Sequence, residues 1–216
     1  MSKRTEDGKT TLSIKRKQSM VARMLAPMHS TEELRFVLDH YRELDAFGLF
    51  EVAVVQAWDA TKTSHYDFDA GCLEAVLKCW CHRKELRLAG DPLPSGETFT
   101  VYRGVCGKGR FRKARGLAWT ADLSIACWFA MRYATGGAKW FVDPAVYEAT
   151  ITADEVFFYV NHRNEQEFVC RPKRCKRMPL TLEEMDRLAE EERQRRQVAW
   201  NASMKQAPGK PKSKRK

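Results

Sequence analysis

The chain has 216 residues, 44% hydrophobic and 31% charged, with a formal net charge of +10. That length supports one sizeable core rather than clearly two domains, and no apolar run approaches the ~20 residues of a membrane helix. The start, MSKRTEDGKTTLSIKRK, has no apolar secretory stretch, so a cytoplasmic protein without a membrane partner is expected.

The charge is localised. Residues 1–17 carry six cations against Glu6 and Asp7, a net of +4, and residues 205–216 carry six cations and no acid, a net of +6. The body between them balances at zero, so the basicity belongs to the termini. Such arms are usually solvated, and a salt-sensitive contact with nucleic acid or an acidic partner is the sharper alternative. Of seven cysteines, only Cys79 and Cys81 are close, as C-x-C. The rest are scattered, which fits reduced thiols and gives no support to a metal site.

In chain order, residues 1–20 read as a flexible basic arm and 21–95 as a helical part. Ser30-Thr31-Glu32-Glu33 has a capping-box pattern ahead of Leu34, Val37, Leu38, Tyr41 and Leu44 at helical spacing. Leu49 to Trp58 is apolar throughout and could be helix or strand. Cys72 to Leu88 reads as one amphipathic helix, ended by Ala89-Gly90-Asp91-Pro92.

Residues 96–178 have a different character. Thr98 to Val105 alternates as a strand, with Phe99, Val101, Arg103 and Val105 on one face. A guanidinium in line with apolar neighbours must snorkel, pair with an acid or line a cleft. Cys106 to Arg115 is a basic loop without the spacing of a phosphate loop. Leu117 to Thr120 precedes a helix from Asp122 to Ala134, for which Thr120 is an ordinary N-cap candidate. A loop, Thr135 to Pro144, carries Trp140. Val146 to Thr152 and Glu155 to Val160 read as strands, and Arg171 to Arg177 as a cation run. Residues 179–204 form a charge-rich helix opened by a second capping-box pattern at Thr181, and 205–216 a disordered basic tail.

The stretch YVNHRNEQEFVC, Tyr159 to Cys170, concentrates the chemistry. If it is extended from Glu165 onward, Glu165, Glu167 and Val169 share a face. Two carboxylates at the mouth of a buried strand repel one another and lose hydration, unless a cation or a substrate opposes them. On these residues alone, a solvated edge strand is the plainer reading.

Taken as a set, Tyr102-Arg103-Gly104 on a strand, Ala118-Trp119-Thr120 before the helix containing Ala126-Cys127-Trp128-Phe129-Ala130, and Glu165-Gln166-Glu167 after a turn resemble the R-S-E class of mono-ADP-ribosyltransferases, most of all the small phage and prophage versions. The resemblance covers roughly residues 96–170. It implies an α+β fold, with a split, mostly antiparallel sheet around an NAD cleft, an N-terminal helical segment and a C-terminal helix. It also implies roles: Arg103 anchors NAD, Thr120 orders the site, Glu167 is the catalytic glutamate, and Glu165 is the acid that goes with transfer to arginine side chains. Gly104, Trp119, Phe129 and Trp140 would line the NAD site, and His162 and Arg163 the turn that reads the substrate. Ala118 departs from the family pattern, which usually has Ser or Thr there.

The implied chemistry suits the residues. A nicotinamide leaving group departs neutral, so what the reaction needs is negative charge beside the developing ribosyl cation. A guanidinium acceptor arrives protonated, and a second carboxylate can bind it and help remove a proton. The expectation is therefore NAD as co-substrate, no metal, and a target protein accepting ADP-ribose on arginine in a host cytoplasm. An NAD glycohydrolase, a non-enzymatic binding module, and nucleic acid as acceptor remain the alternatives.

Overall fold

The computed structural model of the chain describes residues 12–60, 68–109, 112–132 and 142–206. Trp140 and most of its loop, the residues before 12 and those after 206 lie outside the described residues.

The chain is a mixed α+β protein. Its first half supplies α1 (Ile14–Leu25), α2 (Glu33–Asp39), α3 (Tyr41–Ala46), α4 (Phe50–Ala60), α5 (Ala70–Cys79) and α6 (Arg83–Ala89). The apolar run that could have been helix or strand is α4, buried nearly all round and ringed by α1, α2, α3 and α6. Helix α1 starts at Ile14, inside the stretch assigned to the arm.

Two long helical patterns are each broken in the structure. The one beginning near Leu34 divides at His40, whose ring stacks on Phe36 and whose Nδ1 lies 3.0 Å from the Phe36 carbonyl. The one from Cys72 to Leu88 divides at Trp80-Cys81-His82, where the His82 N–H donates to Glu51 instead of continuing the helix. The capping box at Ser30 does not form: Thr31 bonds to His29, and Glu32 occupies the N-cap position without a side-chain bond. Asp69 caps α5, its Oδ1 accepting from Gly71 and Cys72 N–H.

The second half supplies β1 (Thr98–Val105), β2 (Ala118–Thr120), α7 (Leu123–Met131), β3 (Ala145–Thr152), β4 (Val156–Val160), β5 (Glu167–Cys170), β6 (Lys176–Arg177) and α8 (Leu182–Gln206). The six strands form one sheet in the order β4-β5-β2-β1-β3-β6, antiparallel throughout. The sheet is continuous between its described strands, not split. Its register lines up Tyr102, Thr120, Glu167 and Val160 across β1, β2, β5 and β4.

One face of the sheet carries two groups of helices. The α1–α6 cluster packs on Phe158, Val160 and Val169 of β4 and β5. Helices α7 and α8 pack on Tyr102 and Val146 of β1 and β3. Gly104 is required for that packing, because a Cβ there would lie 1.8 Å from the Ala126 carbonyl oxygen of α7. The opposite face holds Val101, Trp119, Phe168, Tyr159 and Ile151 under Leu93 and Cys175. Helix α8 opens with the capping box expected at Thr181, whose Oγ1 accepts the Glu184 N–H, and buries Met185, Ala189 and Glu192. No described helix is long and apolar enough to cross a membrane.

Candidate active site

Glu165 and Glu167 stand at the seam between the two helical groups, on the sheet face that both groups cover. Their residues are only 6% and 7% exposed. The strand does not begin at Glu165, however. Gln166 has φ +46°, in the left-handed region, so regular pairing starts at Glu167. Three bonds hold this unusual backbone. The Thr120 hydroxyl donates to the Glu165 carbonyl at 2.6 Å, Asn161 Oδ1 accepts the Gln166 N–H at 3.0 Å, and the Ala121 N–H reaches the Gln166 carbonyl at 3.3 Å. The two carboxylates therefore converge through a clamped kink rather than through strand alternation.

Each carboxylate has partners. Arg163 lies between them, its Nη2 3.0 Å from Glu165 Oε2 and 3.6 Å from Glu167 Oε2. Trp58, from α4, donates its indole N–H to Glu167 Oε1 at 2.9 Å. Arg196, from α8, places Nη1 3.2 Å from Glu165 Oε1, while its Nε bonds Glu192 at 2.6 Å. The Arg196 guanidinium lies 4.0 Å from the centre of the Trp128 ring. Its Nη2 is buried and has no hydrogen-bond partner among the described residues.

Burial pushes the Glu167 carboxyl up to about 7, and the charges of Glu165 and Asp59 push the same way. The Trp58 hydrogen bond and the Arg163 charge oppose that rise without cancelling it. Near neutrality Glu167 is thus a carboxyl that both holds and releases a proton.

The other residues singled out in the sequence lie in different places. Thr120 belongs to the site: it pairs directly across from Glu167 and holds the Glu165 backbone. It does not cap α7; Asp122 does, accepting from Ser124 and Ile125 N–H. His162 is at the rim, its side chain 75% exposed and its Nδ1 3.4 Å from Asp59 Oδ2. Phe129 is on α7 beside Trp128, with ring centres 4.9 Å apart.

Arg103, Trp119 and Gly104 are not brought to the glutamates. Register and alternation put Arg103 with Val101 and Trp119, on the sheet face opposite Thr120 and Glu167. There its Nε donates to the Lys113 carbonyl at 3.1 Å and its Nη1 to the Ala118 carbonyl. Trp119 is 2% exposed and donates to the Gly116 carbonyl, as a core residue. Gly104 is covered by the backbone of α7. The expected NAD-anchoring set therefore does not form one surface. Among the described residues, the cations that pair with the two glutamates are Arg163 and Arg196.

Trp58, Trp128 and Arg196 escaped the sequence reading as site residues. Trp58 and Trp128 sit in apolar helical runs, and Arg196 sits in a charge-rich helix whose surface looks solvated. No protein-family model matches the chain, and it has no match among curated proteins or among solved structures.

Proposed function

We propose that the chain is a mono-ADP-ribosyltransferase that uses NAD and transfers ADP-ribose to the guanidinium of an arginine. The observation that carries this reading is Arg163, a guanidinium held across two buried carboxylates. The Arg163 side chain is 32% exposed and sits in a turn with Asn164 at φ +53°, so it is placed to give way to an arginine from outside. Exchange of like for like leaves the carboxylates paired throughout, avoiding an uncompensated buried charge.

In this reading the donor lies on the glutamate face rather than the Arg103 face. Arg196 Nη2, buried and lacking a partner among the described residues, suits an anionic or hydroxyl oxygen. Bound NAD would supply an ADP-ribosyl group on a leaving group that departs neutral. Glu167, in its ionised form, places negative charge in a dry site beside the reacting sugar. Its position near 7 leaves both forms populated at neutral pH, so it can also take up a proton. Glu165 binds the acceptor, and the Thr120 bond keeps its backbone fixed.

A second reading has its own observation. Both glutamates are already paired with arginines of the same chain, as in a structural charge network. The protein would then be a non-enzymatic binding module with basic termini. Incubation with labelled NAD and a cell lysate separates the two. The transferase labels protein, and Glu167→Gln abolishes the label. A folded wild type that neither labels protein nor releases nicotinamide overturns the enzymatic reading.

A further inference from the structure

A different part of the molecule carries buried negative charge without an arginine. Asp45 at the end of α3, Glu51 in α4 and His82 just before α6 each offer a ligand atom, and these atoms lie within 4.8 Å of one another. Glu51 is 5% exposed, between Phe50 and Val52 of the core. Its Oε1 accepts the backbone N–H of His82 at 2.9 Å. Its Oε2 receives no hydrogen bond from any described residue, and no described lysine or arginine pairs with the carboxylate. Oε2 is not among the fully buried unpartnered atoms, so it is open to a partner beside the exposed Asp45 and His82, and natural folds pair such carboxylates or give them a metal.

We propose that Asp45, Glu51 and His82 hold a divalent transition-metal ion of the zinc class. Two carboxylates and one imidazole suit a borderline ion, whereas magnesium or calcium would favour oxygen ligands alone. Nitrogen and oxygen ligands bind zinc at about 2.0–2.2 Å, so the three atoms need to draw slightly closer together. Asp45 and His82 are exposed and can turn inward, while Glu51 is held in the core with its Oε1 on the His82 backbone. Water completes the coordination. The ion neutralises the two carboxylates and ties α3 and α4 to the turn preceding α6. Neither cysteine spacing nor the implied NAD chemistry points to this cluster, because its three ligands lie on three separate elements.

The full-length chain, reduced and stripped of metal with a chelator, is titrated with Zn2+ by calorimetry and with Co2+ by visible absorption. One equivalent should bind, and Zn2+ should raise the Tm. Asp45→Asn and His82→Ala change exposed side chains and should keep the fold by circular dichroism. Each should weaken binding at least about tenfold, the scale seen when a metal site loses support. His29→Ala, at an exposed histidine outside the cluster, should bind as the wild type does. The proposal is overturned if the wild type takes up no ion at tens of micromolar Zn2+, or if one equivalent still binds undiminished in both variants.

Discussion

Glu167 and Glu51 are nearly equally buried, only 7% and 5% exposed, but the fold surrounds them differently. Glu167 has an indole N–H, a neighbouring guanidinium and a second glutamate whose other oxygen meets Arg196. Glu51 has one backbone N–H and no organic cation among the described residues. The first arrangement suits exchange, since an arginine can leave and another can replace it. The second suits a metal ion, which can supply concentrated charge where no described lysine or arginine pairs with the carboxylate. Burial alone therefore does not tell what a carboxylate does; the chemistry of its neighbours does.

The comparison breaks most sharply at Glu167 itself. Glu167→Gln keeps an acceptor for the Trp58 N–H but removes the charge, and should lower the rate of transfer by about 10²–10³-fold or more, as loss of a preorganised electrostatic group does. Glu51→Gln, measured by the same labelling rate and corrected for folded protein, should leave transfer within about twofold. Equal losses in the two variants would mean that the seam has no special role.

Trp58→Phe sharpens the account of the carboxyl's position. The Trp58 hydrogen bond holds Glu167 down against burial. A hydrogen bond to a charged group is worth about 1.5–3 kcal/mol, and one pH unit is about 1.4 kcal/mol. The pH–rate profile should thus move upward by about one to two units. An unmoved profile would remove Trp58 from the control of Glu167.

Stability should show the same carboxyl with a definite sign. The group is held at about 7 in the fold, against an ordinary value of 4.5. Below 4.5 both states hold the proton. Between 4.5 and 7 the folded state keeps a proton that the unfolded state has lost, so stability falls as pH rises. The loss reaches about 3 kcal/mol by the conversion of one pH unit to about 1.4 kcal/mol. Denaturant titrations across this window should show the slope in the wild type and a flatter one in Glu167→Gln.

Only a small effect on chemistry is expected at Arg103. Arg103→Lys loses bonds to two backbone carbonyls, a cost of about 1–3 kcal/mol, read as a lower denaturation midpoint. Transfer per folded molecule should change by no more than a few-fold, because Arg103 lies on the other face of the sheet. Loss of transfer in a fully folded Arg103→Lys protein would contradict that separation.

Much of this architecture is local and was legible. The alternation of residues 98–105 predicted β1 with the bounds observed, and Thr181 with Glu184 marked the start of α8. The acid pair was legible because its two carboxylates stand with one residue between them, whereas Thr120, 45 residues from Glu165, entered the site only through the family resemblance. Local patterns failed where a distant residue intervened. The His82–Glu51 bond coincides with the break in a helix whose own periodicity runs through it. The positive φ at Gln166 replaces an alternation that the sequence alone favours. Arg103 was correctly placed on its strand face, but which face meets the glutamates depends on cross-strand register. Trp58 and Arg196 stand 109 and 31 residues from the glutamates they contact, and no short-range pattern joins them.

The most direct test uses defined acceptors. The wild type and Glu165→Gln are each given labelled NAD with an arginine homopolymer or a lysine homopolymer, and nicotinamide release is followed alongside the label. The wild type should label the arginine polymer and leave the lysine polymer unlabelled, and Glu165→Gln should lose the label while still releasing nicotinamide. Equal labelling of both polymers, or unchanged labelling by Glu165→Gln, would contradict the claim that the paired glutamates exist to hold a guanidinium.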